Sequence, residues 1–133
     1  GIPSWVKRIT VMFNGVSTNG TSIVQVQLGS GSVTTTGYVS YGSSGTGAFS
    51  STTGLIATST FTAANTINGL MTICLVTGNT WIDSVITQNN SGSSAAVLAT
   101  GSIALGGTLD RIRITTVNGT DTFDAGSVNI LYE

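Results

Sequence analysis

One stretch decides the fold class: residues 69–88, which read GLMTICLVTGNTWIDSVITQ. Its first half, residues 69–77, is apolar on both faces of an extended chain, which is typical of a strand at the centre of a sheet. Gly78-Asn79 is a tight-turn dipeptide, and residues 80–88 have the length of a return strand. The stretch therefore predicts a β-hairpin inside an antiparallel sheet.

The rest of the chain consists of short β-rich runs of the same kind. No segment has the period of an amphipathic helix, because Gly, Asn or Ser interrupts the chain before a helix is complete. We expect further strands at residues 5–13, 23–28, 36–41, 47–51, 55–62, 95–100, 102–105, 109–117 and 123–132. This pattern predicts an all-β fold, a single antiparallel β-sandwich of the jelly-roll kind across residues 1–133.

Several side chains are assigned to the inside or the outside by alternation along these runs. Trp5 and Phe13 share the apolar face of the first run and are expected in the core. Gln25 and Gln27 alternate with apolar residues and are expected to face water. Cys74, the single cysteine, lies in an apolar run without a cationic neighbour, and we expect a small buried hydrophobe rather than a reactive thiol.

The charge of the chain excludes several classes of function. Only 7% of residues are charged, and four basic residues are balanced by five acidic ones. Nucleic-acid binding needs a basic patch to neutralise phosphates, and a polybasic membrane anchor needs the same, so neither is expected. No run approaches the roughly 20 apolar residues of a membrane-spanning helix. With so little charge repulsion between copies, the chain is a plausible subunit of an assembly.

The titratable residues offer little to a catalyst. The chain has no histidine, which removes imidazole-based triads and histidine-ligated zinc. Asp121 and Asp124 form a candidate carboxylate pair. They can act as a glycosidase pair or a weak calcium site, or their side chains can bond the backbone of a turn. The turn interpretation is favoured. We expect no enzymatic activity, no cofactor and no metal.

Five side chains are candidates for ligand binding. The rings of Tyr38, Tyr41 and Trp81 can stack on the apolar face of a sugar, although packing between subunits is an alternative for each of them. Arg111 and Arg113 lie two apart on one strand face and can grip an acidic sugar or a lipopolysaccharide phosphate. The alternative for the arginines is pairing with Asp or Glu side chains.

Three motifs carry a resemblance to a known family. The chain reads IPSWVKRITVMF at residues 2–13 with GVSTNGTS at 15–22, GNTW at 78–81, and LDRIRIT at 109–115 with GTDTFDAGSVNI at 119–130. Together these motifs resemble a module found at the C-termini of bacteriophage tail fibres and tailspikes. The resemblance extends over nearly the whole chain, and the first motif is its most specific part.

The resemblance implies a receptor-binding tip domain, the C-terminal fragment of a longer fibre protein. It implies a homotrimer at the end of the fibre of the virion, outside the host cell, which attaches to a bacterial surface polysaccharide or lipopolysaccharide. By analogy, the Gly-rich residues 29–54 would carry receptor choice. Two alternatives stay open: a purely structural domain that trimerises and caps the fibre, and a polysaccharide depolymerase.

Overall fold

The computed structural model describes residues 1–45, 47–60, 62–90 and 96–133, and its regular elements are all β-strands. In chain order the strands are β1 (Arg8–Thr18), β2 (Val24–Ser30), β3 (Ser32–Val33), β4 (Val39–Ser44), β5 (Gly47–Ser51), β6 (Leu55–Ile56), β7 (Ile67–Thr77), β8 (Thr80–Asn89), β9 (Ala96–Ala104), β10 (Arg111–Thr116) and β11 (Phe123–Tyr132). Within the described ranges, no helix is long and apolar enough to cross a membrane.

The strands form two antiparallel sheets. The large sheet has the order β11-β1-β7-β8-β9-β4-β5, and the small sheet has the order β10-β2-β3 with β6 paired to β2. The all-β, antiparallel prediction is confirmed, and the arrangement is sandwich-like because one hydrophobic core is shared by both sheets. Its members from the large sheet include Ile9, Val11 and Ile73, and those from the small sheet include Val26 and Leu28.

The central hairpin is the predicted one. β7 and β8 pair from Ile67 opposite Asn89 to Thr77 opposite Thr80. Gly78 has φ +55° in the turn between them, a conformation that glycine adopts without steric cost. β7 lies between β1 and β8 in the sheet, as its apolar composition predicts.

The first strand is longer than its sequence suggests. Asn14-Gly15 is a turn signal, yet β1 continues to Thr18. The pairing of β1 with β11 shifts register between Asn14 and Ser17, so the extra residues are absorbed as a bulge rather than a turn. Gly126 of β11 has φ +84° and lies against the backbone of β1 at this point.

Two core assignments need correction. Trp5 precedes β1 instead of lying in it, and its side chain is 62% exposed. Phe13, in contrast, is buried as predicted. Cys74 is only half-buried, because it lies on the outer side of β7 rather than between the sheets.

The polar face of β2 is also buried rather than solvent-exposed. Gln25 and Gln27 are both buried. The Ser51 hydroxyl donates to Gln25 Oε1 at 2.8 Å, and the Gln27 amide donates to the Thr53 carbonyl at 2.7 Å. The segment after β5 therefore covers these side chains and satisfies their hydrogen bonds. The run at 55–62 forms a strand only at Leu55–Ile56, and its residue 61 lies outside the described residues.

Candidate functional site

The five candidate ligand-binding residues lie on separate parts of the molecule. Tyr38 and Trp81 are buried between the sheets. Tyr41 is on the outer side of the large sheet, and Arg111 and Arg113 are on the small sheet. The structure does not bring them together into one pocket.

Tyr38 is a core residue, contrary to its prediction as a ligand-binding side chain. Its hydroxyl accepts a hydrogen bond from the Leu28 amide at 2.7 Å and lies 3.1 Å from the Thr34 carbonyl, to which it donates. Burial raises the pKa of this phenol above its ordinary value. The ring ties the loop before β4 to strand β2, so its role is structural.

Trp81 also departs from its predicted role. It follows the hairpin turn as expected, but its side chain is 2% exposed because it points to the inner side of β8. Its indole nitrogen has no hydrogen-bond partner among the described residues. A buried ring cannot offer its face to a sugar, so Trp81 belongs to the core.

The two arginines are held by neighbouring side chains. Arg111 Nε donates to Asp110 Oδ1 at 2.6 Å, and this pairing lowers the pKa of Asp110 to about 2. Arg113 Nε donates to Gln27 Oε1 at 2.8 Å. The pairing alternative therefore holds for Arg111, whereas Arg113 bonds an amide rather than an acid.

Tyr41 is the one candidate whose ring faces solvent. It lies on β4 with 64% of its side chain exposed. Its register partners are Thr100 on β9 and Ser50 on β5, which point to the same side of the sheet. The Thr100 hydroxyl donates to the Asp83 backbone carbonyl at 2.8 Å, so it can only accept a hydrogen bond from a ligand. The exposed ring beside these two hydroxyl groups can stack on a sugar and bond its hydroxyls.

The outer side of the large sheet holds a feature that the sequence reasoning missed. Opposing residues of β1, β7, β8 and β9 form an apolar row across the sheet. The row consists of Met12, Leu70, Ile86 and Leu98. A neighbouring row is made of hydroxyl side chains, namely Thr10, Thr72, Ser84 and Thr100. The alternation of β8 contains the signal, since Ile82 and Ile86 lie on the side opposite to Trp81 and Val85.

Four of the five carboxylates are engaged at the surface. Asp110 pairs with Arg111, and Glu133 accepts a hydrogen bond from Arg8 Nε at 2.8 Å. Asp121 accepts hydrogen bonds from the Asn118 amide at 2.7 Å and the Ser22 backbone at 3.0 Å, which lower its pKa. Asp124 accepts a hydrogen bond from the Ser17 hydroxyl at 2.5 Å.

Asp121 and Asp124 are thus each held by the protein itself, but through the Asn118 side chain, the Ser22 backbone and the Ser17 hydroxyl rather than through the backbone of their own turn, which the turn interpretation had favoured. Within the described part of the chain, no group of three or more His, Cys, Asp or Glu side chains is placed to hold a metal ion.

Asp83 is the exception, because it is buried on the inner side of β8. Burial raises the pKa of its carboxyl to about 7, against a smaller lowering by the backbone amides of Gly101 and of Asp83 itself. Neither carboxylate oxygen accepts a hydrogen bond of ordinary geometry from the described residues. The side chain lies between Trp81 and Val85 on the inner side of the strand and is buried, and its carboxylate form therefore destabilises the core.

No protein-family model, curated protein or solved structure matches this chain. The function is therefore inferred from the surfaces described above and from the resemblance of its motifs.

Proposed function

We propose that the chain is a receptor-binding tip domain of a tailed-bacteriophage tail fibre or tailspike, a homotrimer that attaches the virion to a bacterial surface glycan. Under this proposal the two sheets form a jelly-roll-like sandwich. The motif resemblance provides the biological setting, and the antiparallel two-sheet fold is compatible with it.

The observation that carries the glycan proposal is the position of Tyr41. Its exposed ring stands on a strand between Ser50 and Thr100, so the two hydroxyls are held at fixed places beside it. A preorganised site of this kind binds a neutral ligand without the entropy cost of ordering a loop. Strand β4 and its partner β5 lie at one edge of the large sheet, where a polymer can approach from the side.

Contact rather than catalysis is supported by the state of the acidic side chains. Asp110, Asp121, Asp124 and Glu133 each accept hydrogen bonds from the protein, and Asp83 lies in the core. A glycosidase needs a matched acid and base facing the same bond. The absence of histidine from the sequence removes the commonest other proton carrier.

The proposal is tested by measuring binding of the purified chain to an array of bacterial capsule and lipopolysaccharide glycans. We expect Tyr41→Ala to reduce the affinity about fivefold or more, since an aromatic stacking contact contributes on the order of 1 kcal/mol beyond its burial. Tyr41→Phe separates stacking from the hydroxyl contribution. Tyr132→Ala is the matched control, because Tyr132 is an exposed tyrosine on β11, at the opposite edge of the sheet.

Two results contradict the glycan proposal: no binding to any glycan on the array, or binding that Tyr41→Ala leaves unchanged.

A second candidate function, trimerisation and capping alone, is favoured by the apolar row on the outer side of the large sheet. Under that function the chain assembles but retains no affinity for glycans.

A further inference from the structure

The outer side of four adjacent strands forms an exposed apolar surface, which we call the four-strand face. It comprises the outward side chains of β1, β7, β8 and β9. Three members of its apolar row are among the more exposed hydrophobic residues of the molecule: Leu70 at 51%, Ile86 at 62% and Leu98 at 56%. Ile82 adds a further exposed apolar side chain beside the hydroxyl row. Exposed apolar residues arranged contiguously on a sheet mark an interaction surface.

The four-strand face is almost free of charge. Among its described side chains the charged one is Arg8, at the corner, and Glu133 neutralises it. Asp83, on β8, points to the opposite side of the sheet. A surface without net charge meets a second copy of itself without electrostatic repulsion, and its hydroxyl groups are both donors and acceptors. Copies of the four-strand face can therefore pack against one another.

A depression lies at the centre of this face. It has a volume of about 410 Å³ and is lined by Gly69, Leu70, Thr72, Ser84 and Ile86. Gly69 has φ +137°, and a Cβ there would lie 2.4 Å from the Ile86 carbonyl oxygen, so glycine lets β7 approach the backbone of β8 closely at this point. The aliphatic walls fit a branched apolar side chain of a neighbouring molecule better than they fit a sugar.

The number of copies comes from the homotrimer in the proposed function, and the width of the four strands is compatible with it. Packed sheets lie about 10 Å apart, so a sheet facing a central axis lies about 5 Å from it. Three such sheets around a threefold axis form a triangular prism whose sides are about 17 Å wide, by elementary geometry from that 5 Å distance. Four strands spaced about 4.8 Å apart are about 19 Å wide, which matches one side of this prism.

The area is also sufficient for a stable assembly. β8 has ten residues, and a strand of that length spans about 33 Å. Each chain contributes a face of about 19 by 33 Å, on the order of 630 Å², which is near the low end of the roughly 600–1,000 Å² that each partner buries in a specific, stable interface. Strand β4 with Tyr41 lies outside the four strands, so the Tyr41 ring and Ser50 stay accessible, whereas Thr100 of β9 lies at the edge of the face.

We infer that three copies of this chain associate through the four-strand face, with Leu70 and Ile86 of each copy nearest the threefold axis. The inference rests on the homotrimer in the proposed function and names the surface that forms it. Leu70 and Ile86 lie on the two middle strands of the four, which places them closest to the axis.

The test measures the mass of the purified chain by light scattering coupled to size-exclusion chromatography. The wild type is expected at three times the chain mass of 13.5 kDa. Ile86→Asp places three carboxylates at the axis, and we expect it to elute at the mass of one chain with an unchanged circular dichroism spectrum. Leu70→Ser is the second variant, which weakens the trimer without adding charge, so that it dissociates at higher protein concentration than the wild type.

Val117→Asp is the matched control, because Val117 is 43% exposed and follows β10 of the other sheet. It should remain a trimer. If Ile86→Asp and Leu70→Ser both stay trimeric, the four-strand face is the wrong surface, although the homotrimer itself stands. If the wild type is a monomer, the inference is overturned, while glycan binding that depends on Tyr41 would still support the receptor-binding role.

Discussion

The buried carboxylate of Asp83 makes the stability of the chain depend on pH, and Asp83→Asn should remove that dependence. In the folded protein the pKa of Asp83 is about 7, against 3.8 in the ordinary state. At a pH between these two pKa values, Asp83 is protonated in the folded state and ionised in the unfolded state. The free energy of unfolding therefore falls as the pH rises, by about 1.4 kcal/mol per pH unit.

The expected magnitude is set by this window. From pH 5 to pH 8 the wild type should lose about 2.5 kcal/mol, which is a large part of the stability of a domain of this size. The lowered pKa values of Asp110 and Asp121 act in the opposite direction, but only at a more acidic pH, below their ordinary pKa near 4. Asp83→Asn keeps the shape of the side chain and removes its charge, so its stability should be nearly constant from pH 5 to pH 8.

The assay is urea unfolding at pH 5, 6, 7 and 8, followed by tryptophan fluorescence. The protein concentration is held fixed, because assembly also contributes to apparent stability. Asp124→Asn is the matched control, since it makes the same chemical change at an exposed position and should retain the slope of the wild type. A wild type whose stability is level or rises from pH 5 to pH 8, or an Asp83→Asn variant that keeps the slope, refutes the reasoning.

Four further substitutions test three other parts of the structure by equilibrium unfolding. Gly126→Ala should destabilise the chain by more than Gly119→Ala. Both glycines have positive φ, but only at Gly126 would a new Cβ collide with a neighbouring strand. Equal losses of stability would contradict this packing. Tyr38→Phe should cost about 1–3 kcal/mol, because it leaves the buried Leu28 amide without its acceptor, and a neutral effect would count against that bond. Arg8→Gln should change the stability little, because its ion pair is solvent-exposed, and a large loss would show that the corner matters for assembly.

The hairpin at residues 69–88 was predictable because both of its signals are local. An apolar run followed by Gly78-Asn79 specifies a strand and a turn without reference to the rest of the chain. The structure places β7 at Ile67–Thr77 and β8 at Thr80–Asn89, close to these expectations. The short strands in the Gly-rich segment were located for the same reason, as β4 and β5 lie near residues 36–41 and 47–51.

The inside and outside of the sandwich were harder to predict, because they depend on contacts distant in sequence. Tyr38 is buried since its hydroxyl bonds the backbone of β2, and Gln25 is buried since the segment after β5 covers it. Neither partner can be inferred from the local pattern. Trp5 fits the period of the first run, yet the strand begins only at Arg8, and the ring is left outside.

The candidate site was therefore predicted only in part. Of the five side chains chosen for their chemistry, Tyr41 alone presents an exposed aromatic ring, because residue type indicates what a side chain can do but not which way it faces. The apolar row on the four-strand face was missed for a related reason. Its members come from four strands, and only the register of the sheet shows that Leu70, Ile86 and Leu98 are neighbours.

The position of β1 has a mechanical consequence. β1 is held on one side by β11 and on the other by β7, through paired residues along most of its length. A pulling force applied to the chain ahead of Arg8, along the strand, would load both rows of hydrogen bonds in shear at once instead of peeling them apart one by one. A force that entered through residues 1–7 would thus meet an inner strand and would have to break many bonds together before the fold gives way.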